Sequence, residues 1–470
     1  MDSSLYFLGT LDMTNRKNIK DTLRLALPII ISQVGYMTMG IIDTIVAGMD
    51  SPATLAGVAA GSTIFNLFII VGIGTLLGTE TLVAQAFGRK DYIDCHRILG
   101  ASLWAAAMIS LIGTPALYGI ASVYDKFGIH PEVIDEAQAY FLNIIPAYPT
   151  LIFFAAFNRY WQSMNVATMI TWITVLANLA NLFFDLILVH GWFGVEPMGA
   201  TGIAIASLLT RTLALVAAIA GSLYIWQQKN WLGTTPKELL YLLITPSLHR
   251  IRRLFALGLP SSAQVALEMG AFSIATQIIA TMDPETLGAH QIIMSISGFT
   301  FMFPLGLSSA TATRVGMFVG QGDPIRARQT GWFAISFSVF MMFFFAVGFI
   351  LLPEYLFSLF TKDSQILLIA TSLAIYCAVF QIFDGLQVTA TGALRGVGNT
   401  KGPVINNLIS HYCMGLPIGL LAAFHFNLGI YGVWLGLSLG LIVVSILNLA
   451  LWRTDQPSLT KPSLQLTTDN

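Results

Sequence analysis

The stretch LALPIIISQVGYMTMGIIDTIVAG (residues 25–48) is long and apolar enough to cross a lipid bilayer as a single helix. One carboxylate, Asp43, interrupts its second half, and no lysine, arginine or histidine lies within a helical turn of it. A charged group in lipid is costly, so intramembrane acids normally face a cavity and carry function. The stretch therefore predicts both a fold class and a first functional residue.

The rest of the chain has the same character. Of its 470 residues, 55% are hydrophobic and only 10% are charged, and the mean hydropathy is +0.74. Such a composition excludes an ordinary soluble protein. We predict an all-α polytopic membrane protein with twelve transmembrane helices, at 23–48, 54–79, 97–120, 134–157, 168–190, 199–226, 252–281, 286–316, 328–352, 365–393, 403–424 and 430–452.

An internal repeat divides these spans into two halves. LALP (25–28) recurs as LGLP (257–260), and FGRKD (87–91) recurs as VGQGD (319–323), each 232 residues later. Six spans separate equivalent points, which predicts two six-helix bundles related by a pseudo-twofold axis along the membrane normal. The expected parts are an N-terminal lobe (1–226), a cytoplasmic loop (227–251), a C-terminal lobe (252–455) and a polar tail (456–470). Two like lobes favour a carrier over a channel.

Positive charge predicts the orientation. The loops on one side hold most of the loop lysines and arginines, whereas the opposite loops hold Lys126 and Lys362, so we expect both termini to be cytoplasmic. No basic block suggests nucleic acid as a partner. The three cysteines have no metal-site or disulfide spacing.

Charged residues inside the predicted spans are the candidates for function. Arg211 is the one base that we place there, and the acids are Asp43, Glu80, Asp185, Glu268 and Asp384. Such acids suit the binding of a proton, a metal cation or a cationic substrate in turn.

Helix direction places Asp43 and Asp185 at one depth in the N-terminal lobe. Asn181 and Asn178 precede Asp185 by one and two helical turns, so amide groups share its face. We predict that these four residues form a substrate-binding or proton-binding cluster.

Glu268 and Asp384 fall near mid-membrane in the C-terminal lobe. Two carboxylates in one cavity predict a hard-cation site with oxygen ligands, which would hold Na⁺ if the protein is sodium-coupled. Glu80, His290 and Arg211 are secondary candidates. Glu80 could instead be an acid at a helix end that reaches out of the bilayer. His290 could be a structural imidazole, and Arg211 could be the structural partner of an acid.

With these residues quoted, the chain resembles the multidrug and toxic compound extrusion (MATE) family, most closely its bacterial NorM-type branch, over about residues 20–455. The similar segments are residues 25–48, LVAQAFGRKD, GAHQIIMSISGFTFMFPLGLSSATATRVG and FDGLQVTATGALRGVGNTKG. The resemblance implies an inner-membrane antiporter that expels cationic amphiphilic compounds in exchange for Na⁺ or H⁺. We also expect a monomer among membrane lipids that needs no cofactor.

The resemblance also assigns roles. It implies substrate or proton binding by Asp43, with Asn181 and Asp185 matching an NxxxD pattern, and cation coupling by Glu268 and Asp384. NorM-type relatives often have Asn in place of Asp185, and some have Tyr in place of Phe380, which offers no oxygen to an ion.

Two alternatives remain open: a lipid-linked oligosaccharide flippase of the same superfamily and an intramembrane enzyme. The acidic character of the candidate cavity residues disfavours the flippase. The absence of HExxH, GxSxG and phosphate-loop motifs disfavours the enzyme.

Overall fold

The computed structural model describes residues 3–124, 131–229 and 235–455, and in these ranges every regular element is a helix. The prediction of an all-α fold is confirmed. The α-helices are α1 (Ser3–Asp50), α2 (Pro52–Thr75), α3 (Leu77–Gly88), α4 (Tyr92–Ala121), α5 (Pro131–Ile144), α6 (Ala147–Ser163), α7 (Ala167–His190), α8 (Gly199–Lys229), α9 (Pro236–Ile244), α10 (Leu248–Ile279), α11 (Pro284–Gln321), α12 (Pro324–Leu351), α13 (Pro353–Ser358), α14 (Ser364–Gly396), α15 (Lys401–Asn407), α16 (Leu416–Leu420) and α17 (Ile430–Asp455).

Most predicted spans coincide with helices that can cross a membrane. Ten helical segments of the described ranges are long and apolar enough, and the pair Val133–Ile144 and Ala147–Ser163 makes an eleventh. This pair is bent by 47° at a break that contains Pro146, which cannot donate a backbone hydrogen bond. The predicted span 252–281 coincides with α10. This helix has several arginines near its start, and it is not among the eleven segments that are long and apolar enough to cross a membrane.

The predicted span 403–424 is not a uniform α-helix. It overlaps two π-helical segments, Leu408–Gly415 and Leu421–His425, on either side of α16. Pro417 lies at the start of α16, and its ring would clash with the carbonyl group of the residue four positions earlier in a regular α-helix. A wider turn relieves this clash, and π-helical segments are frequent at functional sites.

The internal repeat is visible in how the helices begin. Asp91 caps α4 by accepting a hydrogen bond from Asp94 N at 2.9 Å, and Asp323 caps α12 by accepting one from Arg326 N at 2.9 Å. These caps belong to the repeated FGRKD and VGQGD loops. The repeated sequence therefore codes for the same helix start in both halves.

Helix α10 packs closely against α2 around Gly258. A side-chain carbon added to Gly258 would lie 1.8 Å from the carbonyl oxygen of Thr75, so only glycine fits there. Ser262 Oγ donates a hydrogen bond to Val71 O at 3.0 Å in the same contact.

The described chain forms two compact units. One unit comprises the residues up to Ile30 together with those from Ala263 onward, and the other is Ile31–Ser262. The unit boundaries fall inside α1 and α10, whereas the predicted lobe boundaries, at residues 226 and 252, stay a prediction. The predicted tail 456–470, residues 230–234 of the predicted loop and Lys126 lie outside the described residues.

Candidate functional site

A cavity of about 490 Å³ lies within the unit Ile31–Ser262, among α1, α2, α5, α6, α7 and α8. Apolar residues such as Met39, Phe65 and Phe154 form much of its wall. The polar lining residues are Gln33, Tyr36, Asp43, Thr44, Ser62, Asn66, Tyr140, Asn158, Arg159, Thr174, Thr210 and Arg211. An apolar wall with a few polar groups is the usual form of a small-molecule site.

Asp43 lines this cavity from α1, and only 7% of the residue is exposed. Its Oδ2 accepts a hydrogen bond from Ser207 Oγ of α8 at 3.2 Å. Its Oδ1 is buried and has no hydrogen-bond partner among the described residues. A buried carboxylate oxygen without a donor is costly, so a proton or a cationic group that binds Asp43 is stabilised.

Asn181 and Asp185 of α7 approach Asp43 closely enough to interact with its carboxylate. Both residues are fully buried, and within the described chain their side-chain polar atoms have no hydrogen-bond partner. Asn178 is only half buried, and its Nδ2 donates to Thr174 O at 2.9 Å, inside its own helix. The structure therefore brings Asp43, Asn181 and Asp185 together, while the amide group of Asn178 is partly engaged elsewhere.

Glu268 of α10 is the centre of a second polar cluster, in the other unit. Its Oε2 accepts hydrogen bonds from Gln264 Nε2 at 2.7 Å, Gln387 Nε2 at 2.8 Å and Asn407 Nδ2 at 3.5 Å. The residue is 7% exposed. Hydrogen bonds to an ionised acceptor are the strong ones, so the three amide groups stabilise a charged Glu268 inside the protein.

Asp384 of α14 is 4% exposed and close enough to Glu268 for their charges to interact. Its Oδ1 has no hydrogen-bond partner in the described ranges, and neither has Gln387 Oε1 or Asn407 Oδ1. Carboxylate and amide oxygens are the ligands that a hard cation prefers. No group of three or more His, Cys, Asp and Glu side chains in the described chain could hold a metal ion, so Na⁺ at Glu268 and Asp384 would also need amide oxygens.

The MatE family model matches this chain twice, over residues 28–187 and 260–421. The two matches cover more than half of the chain and start 232 residues apart, which is the offset of the internal repeat. The chain belongs to the MatE family. Its MATE resemblance is thereby confirmed.

Curated relatives and solved structures agree with this assignment. The MatE chain is 33% identical to the probable multidrug resistance protein NorM of Pseudomonas putida, over 91% of this chain and 92% of the relative. It is 31% identical to that of Mesorhizobium japonicum, over 93% and 94%. An outward-facing multidrug resistance MATE family transporter of the MOP superfamily has a TM-score of 0.84 at 19% identity, over 93% and 95% of the two chains. The MatE chain thus has the all-α, two-lobed fold of the MATE transporters.

Glu80 lies inside the protein, and this burial disfavours the interpretation of an acid that reaches out of the bilayer. This residue of the MatE chain is fully buried, and its Oε2 lies 3.8 Å from Arg159 Nη1. Arg159, Arg314 and Arg395 are all less than 10% exposed. The prediction that Arg211 is the one base within the spans is therefore wrong, because α11 also carries Arg314 in a segment that can cross the membrane.

His290 of the MatE chain occupies a structural environment. It is fully buried, its Nε2 lies 2.9 Å from Thr276 Oγ1, and its ring packs edge-on against Trp434 with a centroid distance of 5.7 Å. These contacts favour the interpretation of His290 as a structural imidazole. A role of His290 in transport stays a prediction.

Aromatic rings pack against one another on the helices that carry the second cluster. Phe380, one turn before Asp384, packs against Phe272 and Trp434 with centroid distances of 5.6 and 5.5 Å. Phe380 is therefore engaged in ring packing and adds no oxygen ligand to the cluster. His411, in the first π-helical segment, lies 6.1 Å from the Phe272 ring.

Sequence reasoning missed the amide residues that bind Glu268. Gln264 precedes Glu268 by four residues, so the helical spacing could have revealed it. Gln387 and Asn407 lie 119 and 139 residues away from Glu268, and no local pattern marks them. Ser207, the hydrogen-bond donor to Asp43, was missed for the same reason.

Proposed function

We propose that this MatE chain is a secondary active transporter that expels cationic amphiphilic compounds in exchange for Na⁺ or H⁺. Its curated relatives, which match over more than 90% of the chain, are named probable multidrug resistance proteins. The single observation that carries the substrate class is Asp43, a carboxylate with an unsatisfied oxygen on an apolar-walled cavity. A cationic, greasy compound complements both features.

The two polar clusters suggest a division of labour. Asp43, with Asn181 and Asp185, is the proposed substrate-binding or proton-binding site, and Glu268 with Asp384 is the proposed site for the coupling cation. The oxygens of Asp384, Gln387 and Asn407 that lack donors support cation binding there. Arg211 and Glu80 then adjust the electrostatic potential around these sites, and Asn178 has at most a secondary role in binding.

Exchange follows from competition for these acids. A coupling ion that binds from the outer side of the membrane weakens substrate binding, and the substrate dissociates. Access then alternates to the inner side, where the ion dissociates and substrate binds again. Linkage requires that bound substrate lowers the affinity for the ion by the same factor.

The remaining features of the proposal concern location and assembly. The bacterial relatives support the inner membrane as the location. The charge asymmetry of the loops supports cytoplasmic termini. We infer a lipid-embedded monomer that needs no cofactor besides the coupling ion and catalyses no covalent reaction.

Proteoliposomes test the proposal. Efflux of rhodamine 123, a cationic amphiphilic dye, is measured under an imposed Na⁺ gradient and, separately, under an imposed pH gradient. We expect at least one gradient to drive efflux, and we expect Asp43→Asn or Asp384→Asn to reduce it at least tenfold. Glu354→Gln, which removes an exposed acid of α13, is the matched control. Efflux that persists unchanged in both cluster variants would remove the acids from the mechanism.

A further inference from the structure

We propose that the surface formed by α9 and the arginines Arg89, Arg250 and Arg253 binds an anionic phospholipid. The phosphate group binds at the arginines, and the acyl chains lie on α9. All of these residues belong to the unit Ile31–Ser262, and none of them lines its cavity. The inference therefore concerns a separate site and does not depend on the proposed export function.

The short helix α9 lies against the flank of α4. A side-chain carbon added to Gly100 would lie 2.7 Å from the carbonyl oxygen of Leu242, so the two backbones are in close contact. Trp104 Nε1 of α4 donates a hydrogen bond to Ile244 O, at the last residue of α9, over 2.9 Å. Because α4 is long and apolar enough to cross a membrane, α9 is fixed beside a spanning helix.

One face of α9 is apolar and uncovered. Leu240, Tyr241 and Ile244 are 57%, 68% and 57% exposed, and the helical spacing places them next to one another. Leu239, by contrast, is buried. A short helix with one apolar face exposed beside a membrane span is typical of a segment that lies in the membrane interface, with that face on the acyl chains.

Three arginines surround one carboxylate at the start of α4. Asp94 Oδ1 accepts a hydrogen bond from Arg250 Nε at 2.9 Å, and Asp94 Oδ2 accepts one from Arg89 Nη2 at 3.2 Å. Arg253 is close enough to these groups for its charge to interact with theirs, and it makes no hydrogen bond within the described chain. One carboxylate cannot neutralise three guanidinium groups, so the cluster attracts a further anion.

The surrounding segments do not cancel this excess. Residues 89–97 and 237–253 together hold seven lysines and arginines and three acids. One of these acids, Asp91, caps α4 by accepting a hydrogen bond from Asp94 N. Clusters of basic residues beside a membrane span attract anionic lipids, and the planar fork of arginine matches a phosphate group.

Distances along α4 fit the shape of a phospholipid. Asp94 precedes Gly100 by six residues and Trp104 by ten, which is about 9 and 15 Å at the rise of an α-helix. The arginines thus lie at the end of α4, and α9 lies farther along it, towards its middle. A lipid whose phosphate binds the arginines extends its acyl chains in the same direction. Phosphatidylglycerol satisfies this arrangement, whereas the choline group of phosphatidylcholine is repelled by the arginines.

Native mass spectrometry of the purified, delipidated full-length chain tests the inference. Dissociation constants are compared for phosphatidylglycerol and phosphatidylcholine with identical acyl chains. We expect the wild type to bind phosphatidylglycerol at least fivefold more tightly, and Arg253→Gln to weaken phosphatidylglycerol about fivefold with little change for phosphatidylcholine. Inorganic phosphate at millimolar concentration should not displace the lipid, because it has no acyl chains to bind α9.

Matched variants separate the site from general charge and from folding. Arg328→Gln removes an exposed positive charge of α12, in the other unit, and should leave phosphatidylglycerol binding unchanged. Tyr241→Ser removes an exposed ring of α9 and should weaken both lipids alike. Arg253→Lys keeps the charge and should keep most of the preference. If Arg253→Gln does not fold, the wild-type preference and Tyr241→Ser still decide.

Three results would overturn the inference. The first is equal affinity of the wild type for the two lipids, and the second is equal loss of phosphatidylglycerol binding in Arg253→Gln and Arg328→Gln. The third is displacement by inorganic phosphate together with unchanged binding in Tyr241→Ser, which would indicate a site for free phosphate. Since no gradient is applied, the lipid preference and gradient-driven efflux succeed or fail separately.

Discussion

The side-chain amide of Gln387 on α14 donates a hydrogen bond to Oε2 of Glu268 on α10 over 2.8 Å. Both residues are buried, and 119 positions of sequence separate them. The bond stabilises the charged form of an acid that we propose to bind the coupling cation. Its strength therefore influences how readily that cation leaves.

Gln387→Leu removes this donor and keeps a similar volume. A hydrogen bond to a charged group contributes about 1.5–3 kcal/mol, so the ionised, empty Glu268 becomes less stable and binds a proton more tightly. If the coupling ion is H⁺, we expect its half-saturating concentration to fall about tenfold and maximal exchange to slow. If it is Na⁺, we expect the half-saturating concentration to rise, because the variant also removes Gln387 Oε1, one of the proposed oxygen ligands. Gradient-driven efflux at varied ion concentration measures both. Gln381→Leu, the same change on α14 at a residue that contacts Cys377, is the control, and an unchanged half-saturating concentration in Gln387→Leu would contradict the argument.

The buried pair of Glu80 and Arg159 makes a prediction about stability. Glu80→Gln or Arg159→Gln alone leaves one charge buried and less well compensated, which costs about 3–5 kcal/mol. The double variant removes both charges and should recover much of the loss. Thermal unfolding in detergent measures the order of the melting temperatures. Arg89→Gln, which disrupts a partly exposed pair with Asp94 and leaves Asp94 its pair with Arg250, should cost about 1 kcal/mol or less.

Gly258→Ala tests the close packing of α10 on α2. The added methyl group would overlap the carbonyl oxygen of Thr75, and since backbone cannot move aside easily, the helices must separate. Overpacking of this kind costs about 1–3 kcal/mol or more. Gly119→Ala in α4 is the control, because an added carbon there meets nothing within 4 Å. A melting temperature of Gly258→Ala equal to that of Gly119→Ala would show that the packing is looser.

Asp283, which caps the start of α11 in the short connection after α10, predicts that stability depends on pH. It accepts hydrogen bonds from Thr286 N at 2.8 Å and Thr286 Oγ1 at 2.7 Å, and these bonds lower the pKa of Asp283 below its ordinary value. A lowered pKa in the folded state means that the stabilisation is complete at neutral pH and is lost as the pH falls through the folded value.

Asp283→Ala should therefore cost about 1 kcal/mol at neutral pH, and its deficit against the wild type should shrink below about pH 4. Melting temperatures across pH measure this. Asp283→Ser keeps a capping hydroxyl without a carboxylate, so it should be more stable than Asp283→Ala, with a difference that does not change with pH. A deficit of Asp283→Ala that stays constant into acid would exclude the carboxylate as its cause.

Much of the fold could be predicted from the residues alone. A backbone in lipid must satisfy its own hydrogen bonds, so each long apolar stretch has to be a helix, and hydropathy locates it. The repeated loops predicted equivalent helix starts, and Asp91 and Asp323 show that relation as caps. The bend of α5 and α6 and the π-helical segments around Pro417 were not predicted, because hydropathy does not depend on the local winding of a helix.

The sequence by itself determined which carboxylates lie in apolar helices, because a charge in such a stretch is visible without any structure. Only the tertiary structure decided what each acid contacts: Ser207 for Asp43, Arg159 for Glu80, and Gln387 and Asn407 for Glu268. The reason is that a partner on another helix depends on how the two helices are rotated and shifted against each other. Packing over the whole interface fixes this rotation and shift, and it leaves no periodic signal in the sequence of either helix.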